Sequence, residues 1–210
     1  MPTATIAQRV TADDPRLQRF HAGIYWDAFA AQHEPLDTWK RALRGELPYE
    51  LRVRVSDDAG ICYERYPQSN VGFVTYMVVA PHARGQGIGE RLLRDAIVEL
   101  HEEGVPLVLG EVDDPRQRGN WERLRRFQRW GARLIEGRYI QPALGKGLSR
   151  DRHLLLIALA GAQALPATID GVRVRSFVRE LYAICEGGEV DPEVTFADDA
   201  RLICLEDGDP

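Results

Sequence analysis

The run from Val71 to Val79 is almost continuously apolar. Strict alternation would mark a strand with one wet face; its absence here predicts a strand covered on both faces. Pro81 follows and has no N–H to give, so pairing should weaken there. Then come Arg84-Gly85-Gln86-Gly87-Ile88-Gly89 and a stretch with Ile88, Leu92, Leu93, Ala96, Ile97 and Leu100 at helical spacing. Gly104 supplies a helix stop, and Leu107–Val112 reads as another buried strand. A strand, glycine loop, helix and strand at the centre of the chain demand a mixed α/β architecture.

The flanks fit that frame. Thr5–Val10 reads as a short strand. A helix is expected over 15–32, with Leu17, Phe20, Ile24 and Ala28 inward and Asp13 or Asp14 as cap. A second follows Pro35, capped by Asp37 and stopped at Gly45. Tyr49–Ser56 and Ile61–Arg65 read as a hairpin turning on Asp57-Asp58-Ala59-Gly60. Arg118 to Trp130 reads as a helix with Trp121, Leu124 and Phe127 inward and Gly131 as its stop. Leu154–Leu159 is a late apolar strand. Composition changes near Pro166, which predicts a main domain over 1–164 and a C-terminal extension over 165–210. That extension carries one helix, 170–187, with Phe177, Leu181 and Ile184 inward, and an acidic, weakly patterned tail.

With 210 residues, 44% of them hydrophobic, the chain can bury a core without disulfide or metal staples. The three cysteines, Cys62, Cys185 and Cys204, form no C-x-x-C pair, which points to a reducing, cytoplasmic setting. Met1 to Val10 lacks the pattern of a signal peptide, and no run of apolar residues is long enough to span a membrane. The net charge of −5 disfavours a generally basic surface for nucleic acid. Arg116, Arg118, Arg123, Arg125, Arg126, Arg129 and Arg133 form a local basic cluster, read mostly as a solvated helix face paired with Glu122 and other acids. The histidines show no metal spacing, so no metal is expected.

The glycine segment sits where a phosphate site can be made. The first N–H groups of a helix lack intrahelical partners and the helix dipole is positive there. Glycines let the backbone approach a pyrophosphate closely. A dinucleotide fingerprint needs G-x-G-x-x-G, and a P-loop needs a Lys after its last glycine; neither is met. The pattern [RQ]-x-x-G-x-[GA] is met in full by Arg84, Gly87 and Gly89.

With that pattern, the stretch Tyr76-Met77-Val78-Val79-Ala80-Pro81-His82-Ala83-Arg84-Gly85-Gln86-Gly87-Ile88-Gly89, followed by Arg91-Leu92-Leu93, resembles the GNAT superfamily of N-acyltransferases. The order of elements from residue 5 to about 159 fits as well. The resemblance implies an α/β (α+β) fold with a mixed, mostly antiparallel sheet flanked by helices and splayed central strands that hold CoA. It implies transfer of an acetyl or other short acyl group from acetyl-CoA to a small-molecule or peptide amine, by direct attack in a ternary complex.

Residue by residue, the resemblance gives the backbone of Met77, Val78 and Val79 to the pantetheine arm, with an N–H near Val79 polarising the thioester carbonyl. It gives Arg84, Gly85, Gln86, Gly87, Ile88 and Gly89 to the pyrophosphate. Asn120 opens the later helix either beside the cofactor or as a plain N-cap. The chain departs from the family at Phe127, where members often carry the tyrosine that protonates the departing thiolate. Tyr139 and Tyr76 are the candidate substitutes, against a plain packing role for each. Glu111, in the apolar strand, is the candidate general base, against a structural carboxylate paired to an arginine; Glu64 is a weaker alternative. Phe127 keeps open a second reading, a CoA-binding or sensor protein with little catalysis. The arginine face keeps open a third, an adaptor or nucleic-acid binder. The extension has two open roles, covering the acceptor side or meeting a second copy in a homodimer.

Overall fold

The computed structural model describes residues 7–29, 34–145, 147–161 and 163–206. Strand β1 (Gln8–Arg9) leads into α1 (Pro15–Phe20), whose N-cap Asp14 accepts a hydrogen bond from the Arg16 amide. The expected long helix is interrupted. A π-helical segment, His21–Tyr25, contains Gly23 at φ −106° and ψ −112°, and only then comes α2 (Trp26–Phe29). Glycine tolerates that break, which the spacing of apolar residues does not register. The end of the expected helix, and residues 5 and 6 of the expected first strand, lie outside the described residues. Helix α3 (Leu36–Leu43) is capped at Pro35; Asp37 lies within its first turn, where a negative charge also suits the dipole.

Then follow β2 (Glu50–Val55), β3 (Ala59–Tyr66), β4 (Val71–Val79), a 3₁₀ turn at Pro81–Ala83, α4 (Ile88–Glu102) and β5 (Leu107–Asp113). The β2–β3 turn is tighter than expected, because Ala59 and Gly60 already belong to β3. Helix α5 (Pro115–Arg118) and α6 (Trp121–Arg129) replace the single helix expected from Arg118; Gly119, at φ +72°, separates them. At the end of α6 the Gly131 amide bonds Gln128 O and the Ala132 amide bonds Phe127 O, with Gly131 at φ +94°. This is the Schellman stop that a glycine permits.

The rest is β6 (Arg133–Ile135), β7 (Gly137–Arg138), β8 (Leu154–Ala158), β9 (Thr168–Asp170), α7 (Gly171–Cys185), β10 (Thr195–Phe196) and β11 (Asp199–Ile203). Residues 195–203 therefore depart from the weakly patterned tail expected there. Two- and five-residue strands with a single buried side chain apiece, Phe196 and Ala200, leave too little alternation to read.

Nine strands form one sheet in the order β1-β2-β3-β4-β5-β8-β6-β11-β9, and β7 with β10 makes a separate ribbon. Among the described strands only β4 and β5 pair in parallel. One face of the sheet, with Val53, Cys62, Phe73 and Leu109, packs against α1, α3 and α7 through Leu17, Trp39 and Phe177. The other, with Ile61, Val108 and Ile157, packs against α4 and α6 through Leu93, Ile97 and Leu124. Helix α7 also ties down the β3–β4 turn. Buried Glu180 accepts from the Gln68 amide (3.1 Å), the Ser69 amide (2.9 Å) and the Ser69 hydroxyl (2.7 Å). Three donors offset the cost of burying that carboxylate.

Candidate active site

The site begins where the parallel pair fails. Val71 to Val74 pair with Leu107 to Gly110, and from Thr75 onward β4 has no partner on that side. On its other side, β4 pairs with β3 through a bulge: Cys62 faces Tyr76, Tyr63 faces Val74, and Thr75 is the extra residue. The Thr75 hydroxyl donates to Cys62 O at 3.2 Å. A bulge bends a strand, and here the bend starts where β4 leaves β5. The apolar run is consequently less buried than its composition predicts: Val74 to Met77 and Val79 are only half-buried, because they border the gap.

At the end of β4 the glycine segment turns into α4. Gly85 and Gly87 hold φ +80° and +70°, and Gly87 is the N-cap. Gly89 lies in the first turn, where a Cβ would stand 3.4 Å from Trp130. Among the described residues, none of the N–H groups of 85–90 donates to a backbone carbonyl. That row of free donors on a dipole's positive end suits a pyrophosphate, and its fit owes nothing to side-chain charge. Arg84 Nε donates to Val79 O at 3.0 Å, and Arg91 Nη1 donates to Gln86 O at 3.1 Å.

Across the gap, Glu111 is the first outward-leading residue of β5 past the last pair with β4. It pairs instead with Leu156 of β8. Its carboxylate accepts from the Tyr139 hydroxyl in a short hydrogen bond and from Gln141 Nε2 at 2.6 Å. Burial pushes its pKa up to about 7, although those two donors pull it down. No arginine pairs with it among the described residues. Tyr139 is buried and its hydroxyl is held well above the usual range, first by burial and then by the Glu111 charge. Gln141, which sequence reasoning missed, reaches Glu111 because Gln141 and Asp151 form a β-bridge across the 139–153 loop. No local pattern marks it.

A second element wall stands on the same sheet face. Glu64 of β3 is 5% exposed and accepts from Tyr66 at 2.7 Å. Burial, with the nearby Glu34 and Glu111 charges, raises it to about 8. Glu34 accepts from Trp39 Nε1 at 2.9 Å and is raised by burial. Tyr76 lies among rings, 5.0 Å from Tyr25 and 5.0 Å from Phe29. Phe127 packs at 5.5 Å, edge-on, against Trp130 on the α4–α6 side. Asn120 stands at the N-cap of α6, exposed, and its side chain makes no capping bond. The arginine cluster is largely paired: Arg116 with Asp114, Arg118 with Asp113 and Asp151, Arg123 with Asp113, Arg126 with Glu122.

The acetyltransferase (GNAT) family model matches residues 23–127, the stretch that holds the splay, the loop and α4. The chain belongs to the GNAT family. Its general activity is acyl transfer from acyl-CoA to an amine with acetyl-CoA as donor, and this member is a CoA-dependent N-acetyltransferase. Three solved structures share the fold at low identity. A GNAT-family acetyltransferase from Bacteroides thetaiotaomicron superposes with TM-score 0.65 at 19% identity, covering 88% of this chain and all (100%) of its own. One from Desulfovibrio desulfuricans gives 0.50 at 19%, covering 75% of this chain and 100% of its own. A ribosomal-protein-alanine N-acetyltransferase from Brucella melitensis gives 0.51 at 20%, covering 77% and 100%. No curated protein matches the chain. Among the described residues no helix is long and apolar enough to cross a membrane.

Proposed function

We propose that this GNAT member acetylates an amine in the gap between β4 and β5, with Glu111 as the group that takes the amine's proton. The parting of the strands after Val74 and Gly110, with Glu111 immediately beyond, carries the reading. The free edge of Met77, Val78 and Val79 receives the pantetheine arm, and the amides of Gly85 to Gly89 with Arg84 alongside receive the pyrophosphate. Asn120 and Phe127 border the cofactor's side. An amide near Val79 stabilises the oxyanion as the thioester carbon becomes tetrahedral.

The proton account closes on one carboxylate. The acceptor arrives as an ammonium and gives one proton to Glu111, which passes it to solvent. The free amine attacks the thioester carbon, a C–N bond forms, and the C–S bond breaks. The proton left on nitrogen ends on the CoA sulfur. A carboxylate near pH 7 is matched to the first step. Tyr139 is a weaker choice for the second than the sequence alone suggests. Its hydroxyl is committed to Glu111 and its acidity is reduced, whereas a thiolate with a pKa of roughly 8.5 leaves readily unaided. Tyr139 and Gln141 are thus positioning residues, and Phe127 needs no hydroxyl. The test is paired. Acetyl-CoA must raise the melting temperature of the native protein and of Glu111→Gln equally, while turnover of amines must fall in the variant alone. Unchanged turnover would remove Glu111 from the reaction.

A further inference from the structure

Glu111 owes its second donor to a loop that is pinned on two faces. Gln141 and Asp151 oppose each other in a β-bridge, their amides donating to each other's carbonyls at 2.9 and 3.1 Å. Directly opposed residues share a face, and their neighbours along the chain point the other way. On the near face Gln141 Nε2 donates to Glu111 at 2.6 Å, and Arg118 joins Asp151 to Asp113, which lies on β5 with Glu111. On the far face Arg150 and Arg152, on either side of Asp151, converge on one carboxylate. One oxygen of Asp191 accepts from Arg150 Nη1 at 3.1 Å and from Arg152 Nη2 at 2.7 Å. The other accepts the Glu193 amide at 3.0 Å. Asp191 is 4% exposed. An exposed ion pair holds a loop weakly, because its side chains stay free and solvent competes. A covered carboxylate with three donors holds it firmly, since charge-assisted bonds are the strong ones. Pinned on one face alone, the bridge can turn about its axis and carry Gln141 away from Glu111. Pinned on both, it cannot.

We infer that Asp191 is a positioning residue for Glu111: by gripping Arg150 and Arg152 it fixes the bridge where Gln141 donates to Glu111. Its bearing on catalysis rests on Glu111 being the base. Burial raises Glu111, and the Tyr139 and Gln141 donors lower it. The charges that reach it are Asp151 of the loop, which raises it, and Arg123 of α6, which lowers it. Glu64 of β3, raised by its own burial, is raised further by the Glu34 and Glu111 charges. Loss of Asp191 therefore removes a lowering influence, and Glu111 keeps its proton to higher pH. The arginines are not stranded by that loss. Arg150 retains Glu186 at 3.0 Å and Glu189 O at 3.2 Å, and Arg152 retains Glu193 at 2.7 Å.

The experiment follows the isotopically labelled carboxyl carbons of glutamate by NMR across pH in the full chain. The Glu111 signal is the one missing from Glu111→Gln. Its midpoint should be about 7 in the native protein. In Asp191→Ala it should rise by about one pH unit, the size expected when a carboxylate loses one charge-assisted donor. Gln141→Leu keeps the backbone bridge, removes the donor, and should move the midpoint equally. The double variant should move it no further, because both changes act through one bond. Melting transitions are read first, and Asp191→Asn replaces Asp191→Ala if the latter does not fold. An unmoved midpoint in the Asp191 variant overturns the inference. So does a double variant that shifts by the sum of the two singles, or a Gln141→Leu protein that titrates like the native one. Amine turnover enters none of these readings. Full activity in Glu111→Gln would instead strike the base and leave the role of Asp191 standing.

Discussion

Two glutamates on one sheet face differ in what surrounds them, and that difference separates their roles. Glu111 has two donors, from Tyr139 and Gln141, and a pKa near 7. Glu64 has one, from Tyr66, and a value near 8. For Glu111 the base form is the active one. kcat/KM should therefore rise as pH rises through about 7 and level above it. Glu111→Gln should lose that inflection and about 100-fold or more in kcat. For Glu64 the effect is on stability. The unfolded chain gives up this proton near the ordinary glutamate value of 4.5 and the folded chain near 8. Stability held by the neutral carboxyl is complete below the lower value, declines as pH rises, and is lost as pH passes the upper one. Urea midpoints followed across that range should fall for the native protein and fall less for Glu64→Gln. Glu111 was legible as a lone acid in an apolar strand, whereas the environment of Glu64 was not. Its burial depends on α7 and on helices packed from elsewhere, which no pattern around residue 64 encodes.

The glycine segment is the element that the sequence displays most openly. Its positive φ values are a backbone requirement, so the chain has to write glycine there. Gly87→Val would place a β-branched side chain at φ +70°, at a cost of about 1–2 kcal/mol. It would also move the amides of residues 87–89. Acetyl-CoA affinity, measured by calorimetry, should drop at least about tenfold. The flanking strand was legible as buried, but its departure from β5 was not. The splay follows from an extra residue at Thr75, and a bulge changes pairing without changing the apolar pattern. The interruption at Gly23 escaped for the related reason that an apolar residue still falls every third or fourth place on either side of it. The 139–153 loop was silent altogether. It has no periodicity, and its described residues are held by long-range anchors: Tyr182 to Ile140 O at 2.9 Å, Arg150 to Glu186 at 3.0 Å, and Arg152 to Asp191 at 2.7 Å.

Those anchors, with β9 and β11 in the main sheet, tie described residues of the C-terminal extension to the strands that flank the site. Val174, Phe177 and Tyr182 are fully buried in one cluster with the strands that flank the site. The proposal for this segment is that it completes the sheet and fixes the loop that holds Glu111. A chain cut after residue 164 should then show no cooperative melting transition, while one that melted normally and turned over amines would make the segment dispensable. Tyr182→Phe is the milder probe. It removes the hydroxyl bonded to Ile140 O and should cost about 1 kcal/mol of stability, with several-fold lower kcat and little change in acetyl-CoA affinity.

The sheet order has a consequence for how the chain is made. Strand β11 lies between β6 and β9, although sixty-odd residues separate it from β6 in sequence. While the polypeptide is being synthesised, β6 has an uncovered edge until residues 199–203 have emerged. Domains form as units during synthesis, and an open edge is a template for another chain. The final strand is thus a closing stitch. Its late arrival would make newly made protein most prone to aggregate just before the fold is sealed.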